Sequence, residues 1–178
     1  MIVENGFDGL SMQKLARAAG VSPATIYIYF KDRDDLIEKI AIEEADRMTQ
    51  ITLKGFSPDM TFEEGLWKQW ENRIEYWLEH PLKARFLEQI RYSPIGCKIQ
   101  GKVKQEFVNI MRAFAKKAVE RKELILMRPE VYWALAYSPL YQLIKFHLDG
   151  RGLNNEPFTL DLDLMKQTFQ RVIKSLKP

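Results

Sequence analysis

Gly6 to Ile40 reads GFDGLSMQKLARAAGVSPATIYIYFKDRDDLIEKI, and its punctuation predicts two short helices joined by a tight turn, then a third, separately capped helix. Ser11 is placed to accept from an orphan N–H at the start of the first, with Leu10 and Leu15 at the two positions of a hydrophobic staple. Gly20 ends that helix, because glycine enters the left-handed conformation without a Cβ penalty. Ser22 caps the second helix, Pro23 falls at its first position where a missing N–H costs nothing, and Val21 with Ile26 repeats the staple spacing. Asp32 caps the third, and Asp34 and Asp35 lie where the helix dipole favours negative charge. The unit is a helix-turn-helix.

On the middle helix, Ile26 and Phe30 are four residues apart and share one face, while Ala24, Thr25, Ile28 and Tyr29 fall largely on another. One face packs and the other is free to read a duplex. Thr25 suits a base edge or a phosphate, Ala24 and Ile28 suit a thymine methyl, and the hydroxyls of Tyr27 and Tyr29 suit phosphates. A small helical core alone would account for one of these aromatics. Caps, glycine turn and Thr25 together favour the DNA-reading interpretation.

The run AxxxGVSxxTxYxYFxxRDDL resembles the N-terminal domain of TetR-family transcriptional repressors, over roughly residues 2 to 50. The resemblance implies an all-α chain, with a helix-turn-helix DNA-binding domain at 1–50 and a larger helical ligand-binding and dimerisation domain at 51–178. By position it implies a phosphate contact for Ser11, a base contact for Gln13 and a contact from the reading helix for Thr25. It implies phosphate contacts for Tyr27 and Tyr29, sequence reading for Ala24 and Ile28, and a backbone grip for Arg33. Ser22 and Lys31 complete the expected DNA-facing set. Pro23 occupies a place where some members put a polar reader.

Only Met1 to Asn5 precede Gly6-Phe7, where the family's first helix normally runs for several turns. The expectation is a missing or misassigned start, with less cover over Leu15, Ala19, Ile26 and Phe30 at about 25 cal/mol per Å² of apolar surface re-exposed. Residues 1 to 52 are also net acidic, so the chain's formal charge of +3 arises elsewhere and would not by itself suggest DNA.

At 178 residues, 46% hydrophobic and 29% charged, the chain is ordinary globular material, enough for a small domain and a larger one. The lone Cys97 argues against a disulfide framework and a cysteine-rich zinc site. No apolar run approaches a membrane span and Met1 to Asn5 is no signal peptide, so a cytoplasmic location is expected. His80 and His147 are far apart, and neither a phosphate loop nor metal-ligand spacing occurs, which predicts no catalysis, no metal and no cofactor.

Beyond Leu36 the sequence predicts helix after helix, broken at Gly55 to Asp59, His80-Pro81, Ser93 to Gly96, Met127 to Pro129 and Gly150 to Pro157. Thr61-x-x-Glu64 is a capping box opening a helix that carries Trp67, Trp70, Ile74, Trp77 and Leu78. Pro139 is expected to kink the segment holding Trp133, Tyr137, Tyr141 and Ile144. Individually these aromatics read as bundle core. Collectively, Trp70, Trp77, Phe86, Tyr92, Phe107, Met111, Tyr137 and Tyr141 form the candidate lining of a pocket for a small apolar or amphipathic effector. Met165, Phe169, Val172, Ile173 and Leu176 make a stripe suited to homodimerisation through the last two helices, leaving Lys166, Gln167, Arg171 and Lys174 for solvent.

Two functions compete. The first is a ligand-responsive repressor that binds a palindromic double-stranded operator. The second is a helical small-molecule-binding or interaction protein that does not bind DNA.

Overall fold

The computed structural model describes residues 1–100 and 105–178, and the described chain is all-α. The helices are α1 (Ile2–Asn5), α2 (Met12–Ala19), α3 (Pro23–Tyr29), α4 (Arg33–Leu53), α5 (Phe62–Glu79), α6 (Pro81–Arg91), α7 (Pro94–Gln100), α8 (Gln105–Glu120), α9 (Pro129–Ala136), α10 (Ser138–Asp149) and α11 (Leu162–Leu176). Single 3-10 turns follow α1 and α10. No helix among the described residues is long and apolar enough to cross a membrane.

The predicted punctuation is present atom by atom. Ser11 Oγ accepts from the Lys14 N–H at 3.2 Å, Ser22 Oγ from the Thr25 N–H at 3.1 Å, and Asp32 Oδ1 from the Asp35 N–H at 2.8 Å. Gly20 takes φ 68° and closes α2, its N–H and that of Val21 reaching back to the last carbonyls. At α5 the Thr61 and Glu64 side chains exchange hydrogen bonds with each other's backbone N–H groups, the reciprocal capping box. Tyr137, at ψ −31° and φ −122°, separates α9 from α10. Pro139 therefore sits in the first turn of α10, where it breaks no helical bond, and the expected kink is a full break.

The chain forms two compact units. The first holds residues 1–49 and 80–104, the second 50–79 and 105–178. This differs from the expected division at 50, because α6 and α7 join the helix-turn-helix. Ile90 and Ile95 are buried in one cluster with Leu10, Met12, Ala16, Ile26, Leu36, Ile37 and Ala41, and Phe86 packs against it. Full burial of Ile26 or Leu36 contributes roughly 1.5–3 kcal/mol each. Ala19, expected in that core, is exposed; Met12 takes the inward position instead. An apolar cleft of about 330 Å³ in this unit is lined by Met1, by Ile2, Val3 and Glu4 of α1, and by Leu10, Leu15, Leu36, Ile37, Ile40, Leu82 and Phe86.

In the second unit, Phe62, Leu66, Trp70, Phe114, Ala136, Leu140, Ile144 and Phe169 are fully or almost fully buried. Gly65 is required there, because a Cβ would run into the Phe114 ring. The stripe on α11 is corrected by the fold. Met165, Phe169, Val172, Ile173 and Leu176 are all buried within the one chain, with Phe169 edge-on to Trp67 and Trp70 at 4.9 and 5.2 Å. That stripe is intramolecular core, while Lys166, Gln167, Gln170, Arg171 and Lys174 line the outer side of α11.

Candidate nucleic-acid interface and aromatic cluster

On α3 the two faces separate as the spacing requires. Ile26 is buried, Phe30 is half-buried, and Ala24, Tyr27, Ile28 and Tyr29 are exposed, Ile28 at 76% and Tyr29 at 69%. Three adjacent large apolar or aromatic side chains left in water on a seven-residue helix call for a partner surface. Thr25 is half-buried, and its hydroxyl shares a 2.9 Å hydrogen bond with Ser22 Oγ, which orients it. Ser11, Gln13, Ser22 and Lys31 are exposed, so every residue of the expected DNA-facing set reaches solvent to some degree.

Several contacts fix the attitude of α3 and the start of α4. Lys39 Nζ donates to the Tyr29 carbonyl at 3.2 Å and to Asp35 Oδ2 at 2.9 Å, placing a cation at the C-terminal end of α3 where the helix dipole is negative. Hydrogen bonds from Lys39 first, and from the Lys31 N–H at 2.9 Å, hold the Asp35 carboxyl below its ordinary value. Arg33 is engaged: Nη1 donates to the Phe7 carbonyl at 3.3 Å and Nε lies 3.4 Å from Asp34 Oδ1. Its side chain ties the loop before α2 to α4 while remaining partly exposed.

The eight expected effector-lining residues are divided between the two units. Phe86 and Tyr92 belong to the first unit, and Tyr92 is 80% exposed. Trp70 is plain core, its Nε1 donating to the Ala136 carbonyl at 2.8 Å. Phe107 and Met111 are half-buried on α8, and Phe107 makes no ring contact with a described residue. Trp77, Tyr137 and Tyr141 do come together, joined by Trp133: Trp77 lies 5.8 Å from Tyr141, and Trp133 lies 4.7 Å from Tyr137 and 6.3 Å from Tyr141.

The residues that sequence reasoning missed are polar. Gln69, Asn72 and Arg73 are buried on α5 among the tryptophans. Gln69 Nε2 and Asn72 Nδ2 donate to the Thr52 carbonyl at 3.0 and 2.9 Å, and Asn72 also reaches the Lys54 carbonyl at 2.8 Å, so α5 holds the C-terminal end of α4. The available signal was Arg73 itself, three after Trp70 and four before Trp77, a charge within an apolar helical stripe. His147 is structural, its Nδ1 accepting from the Leu160 N–H at 3.1 Å. Among the described residues no cluster of His, Cys, Asp and Glu is arranged to hold a metal.

An exposed, capped helix after a glycine turn, together with an all-helical second unit, defines a helix-turn-helix fold class. Residues 1–40 match the family described as bacterial regulatory proteins, tetR family. It is 32% identical over 94 residues to an uncharacterized HTH-type transcriptional regulator of Haemophilus influenzae, a match covering 53% of this chain and 50% of that protein. Over 66 residues it is 30% identical to the fatty acid metabolism regulator protein of Bacillus subtilis, covering 37% of this chain and 34% of the other. The chain thus matches half or less of the length of these curated relatives. A solved TetR family transcription regulator from Marinobacter aquaeolei shares the fold, with a TM-score of 0.84, 24% identity, and coverage of 99% of this chain and 89% of that one.

Proposed function

We propose that this protein is a transcriptional repressor that binds a palindromic operator as a homodimer in the cytoplasm and leaves it when a small amphipathic effector occupies the second unit. The observation that carries the reading is the outward face of α3: Ala24, Tyr27, Ile28 and Tyr29 stand in solvent on a helix whose position is fixed by Ile26, the Ser22 cap and Lys39. Ser11, Gln13, Thr25, Lys31 and Arg33 flank that face and supply the polar and phosphate contacts. Pairing through α10 and α11 uses the sides of those helices away from the buried stripe. The effector role rests on α4, whose residues to Thr49 belong to the first unit and whose last turn is held by Gln69 and Asn72 of the second.

The test is selection of bound duplexes from a random pool, followed by titration of the recovered duplex. The expected result is a two-fold symmetric site, with half-sites about one helical turn apart, roughly 34–36 Å. Recovery of no sequence above background would overturn the repressor reading in favour of a helical binding protein without an operator.

A further inference from the structure

Arg73 is only 4% exposed, and no carboxylate among the described residues pairs with it. Its Nε donates to the Tyr141 hydroxyl at 3.1 Å, and its Nη1 donates to the Gln69 carbonyl at 3.1 Å and to the Gln69 side-chain oxygen. Nη2 donates to no described residue. The Tyr137 ring covers the guanidinium at 4.3 Å and the Trp133 ring lies at 5.9 Å.

All of these partners are neutral. Burial raises the Tyr132 and Tyr137 hydroxyls above their ordinary range, so neither becomes a phenolate that would balance the charge. The Tyr132 and Tyr137 hydroxyls interact with each other, while the buried Trp77 Nε1 has no hydrogen-bond partner among the described residues. A guanidinium this buried with only neutral acceptors is one half of an ion pair, and the unpartnered Trp77 N–H one turn further along α5 is a donor that a polar group would satisfy.

The geometry narrows the anion. The Tyr137 ring covers the guanidinium's face and Gln69 takes Nη1, so an anion approaches in the plane at the Nε–Nη2 edge, displacing the Tyr141 hydroxyl from Nε. That fork matches a planar pair of oxygens, which is a carboxylate. Trp77, Trp133 and Tyr141 offer flat apolar surface for the remainder of the molecule, and the half-burial of Trp133 and Tyr141 gives this cluster a side that reaches solvent. We propose that Arg73 anchors the carboxylate of a small amphipathic monocarboxylic acid, the Tyr141 hydroxyl turning from Nε to donate to the bound oxygen. The proposal rests on the reading of the second unit as the effector domain and names the chemistry of that effector.

The experiment titrates the full chain with octanoate, decanoate, benzoate and 2-naphthoate, each against its methyl ester, following tryptophan fluorescence and thermal midpoint. At least one acid is expected to bind saturably, raise the midpoint, and bind about tenfold or more tightly than its ester. Arg73→Gln is expected to abolish that preference while leaving ester binding in place. Tyr141→Phe, a milder change that keeps the ring, is expected to weaken the acid and not the ester. Equal binding of every acid and ester by the unaltered protein overturns the proposal without recourse to a variant, as does the absence of binding across the panel. An acid preference that survives Arg73→Gln overturns it too. Release of the selected duplex is measured separately: Arg73-dependent acid binding with unchanged DNA affinity keeps this site and removes the inducer mechanism, whereas release by an ester in Arg73→Gln does the reverse.

Discussion

Gln69 donates its side-chain amide to the Thr52 carbonyl in the last turn of α4, and with the oxygen of the same amide it accepts from Arg73. One fully buried glutamine therefore links the buried cation of the second unit to the end of α4, the helix that begins beside the proposed reading face on α3. Gln69→Leu keeps much of the volume and removes both bonds. Asn72 still serves the Thr52 carbonyl, so the loss falls mainly on Arg73. Hydrogen bonds to charged groups contribute about 1.5–3 kcal/mol, and a destabilisation of that order is expected in urea denaturation. The double variant Gln69→Leu/Arg73→Leu is expected to cost clearly less than the sum of the single changes. Strict additivity would show that the two side chains do not act together.

At the reading face, Thr25→Ala and Tyr27→Phe are expected to lower affinity for the selected operator by about 1–3 kcal/mol each. Tyr27→Phe leaves the melting temperature in place, because the Tyr27 side chain is exposed. Thr25→Ala also loses the hydroxyl contact with Ser22, so its melt shifts slightly. Arg33→Ala is expected to weaken binding to all sequences and flatten the salt dependence by about one unit of slope. It also costs some stability, since Arg33 holds the Phe7 carbonyl. Anisotropy titrations at several salt concentrations separate these effects; unchanged affinity for both Thr25→Ala and Tyr27→Phe removes the proposed face.

What was legible in the sequence was local. Ser11, Gly20, Ser22, Asp32 and Thr61 act through atoms two to four residues away, so their spacing alone determines their bonds. What was not legible depended on distant packing. Periodicity shows that Ile90 has an inward face but not which core receives it, and α6 and α7 went to the first unit. The α11 stripe likewise reads the same whether a second copy or Trp67 and Trp70 of the same chain cover it. Aromatic spacing suggested a pocket too broadly, because Trp70 and Trp77 are seven apart and share a helix face, yet only Trp77 joins the ring contacts around Trp133 and Tyr141. Polar burial was the hardest to see: Gln69 and Asn72 owe their place to the carbonyls at the end of α4, a partner no local pattern announces.

Both units carry carboxylates whose protonation weakens the fold. The Lys39 ammonium lowers Asp35, Lys117 lowers Asp59, and Lys177 with Gln170 lowers Glu63. Because these folded-state values are depressed, each contribution is complete above the ordinary value and is lost as pH falls through the lowered one. Asp35→Asn is therefore expected to reduce the melting temperature by a constant amount from neutral pH down to the ordinary aspartate value of 3.8, with the gap closing below it. All three groups are near the surface, so salt is expected to shrink the effect. A gap that stays the same well below that pH would mean that Asp35 acts by shape and not by charge.

Release of DNA by an effector is a coupling between two binding equilibria, and its reciprocity gives the strictest test. If an acid held at Arg73 favours an arrangement of α4 in which two reading helices no longer match successive major grooves, saturating acid weakens operator binding by some factor. Saturating operator must then weaken acid binding by the same factor; a coupling of about 1–3 kcal/mol, roughly 5- to 150-fold, is an ordinary size. Trp77 and Trp133 report the acid from beside the site, and a labelled duplex reports the DNA, so both legs are measured on one sample. The model also requires a dimer at the concentrations used, which sedimentation checks directly. Gln69→Leu is expected to leave acid affinity within a few-fold in the absence of DNA and to reduce the coupling factor, because it cuts the bond between the Arg73 side and the Thr52 carbonyl. Undiminished coupling in Gln69→Leu would place the transmission elsewhere along α4. Unequal factors on the two legs would mean that acid and operator are not acting on the same two states of one protein.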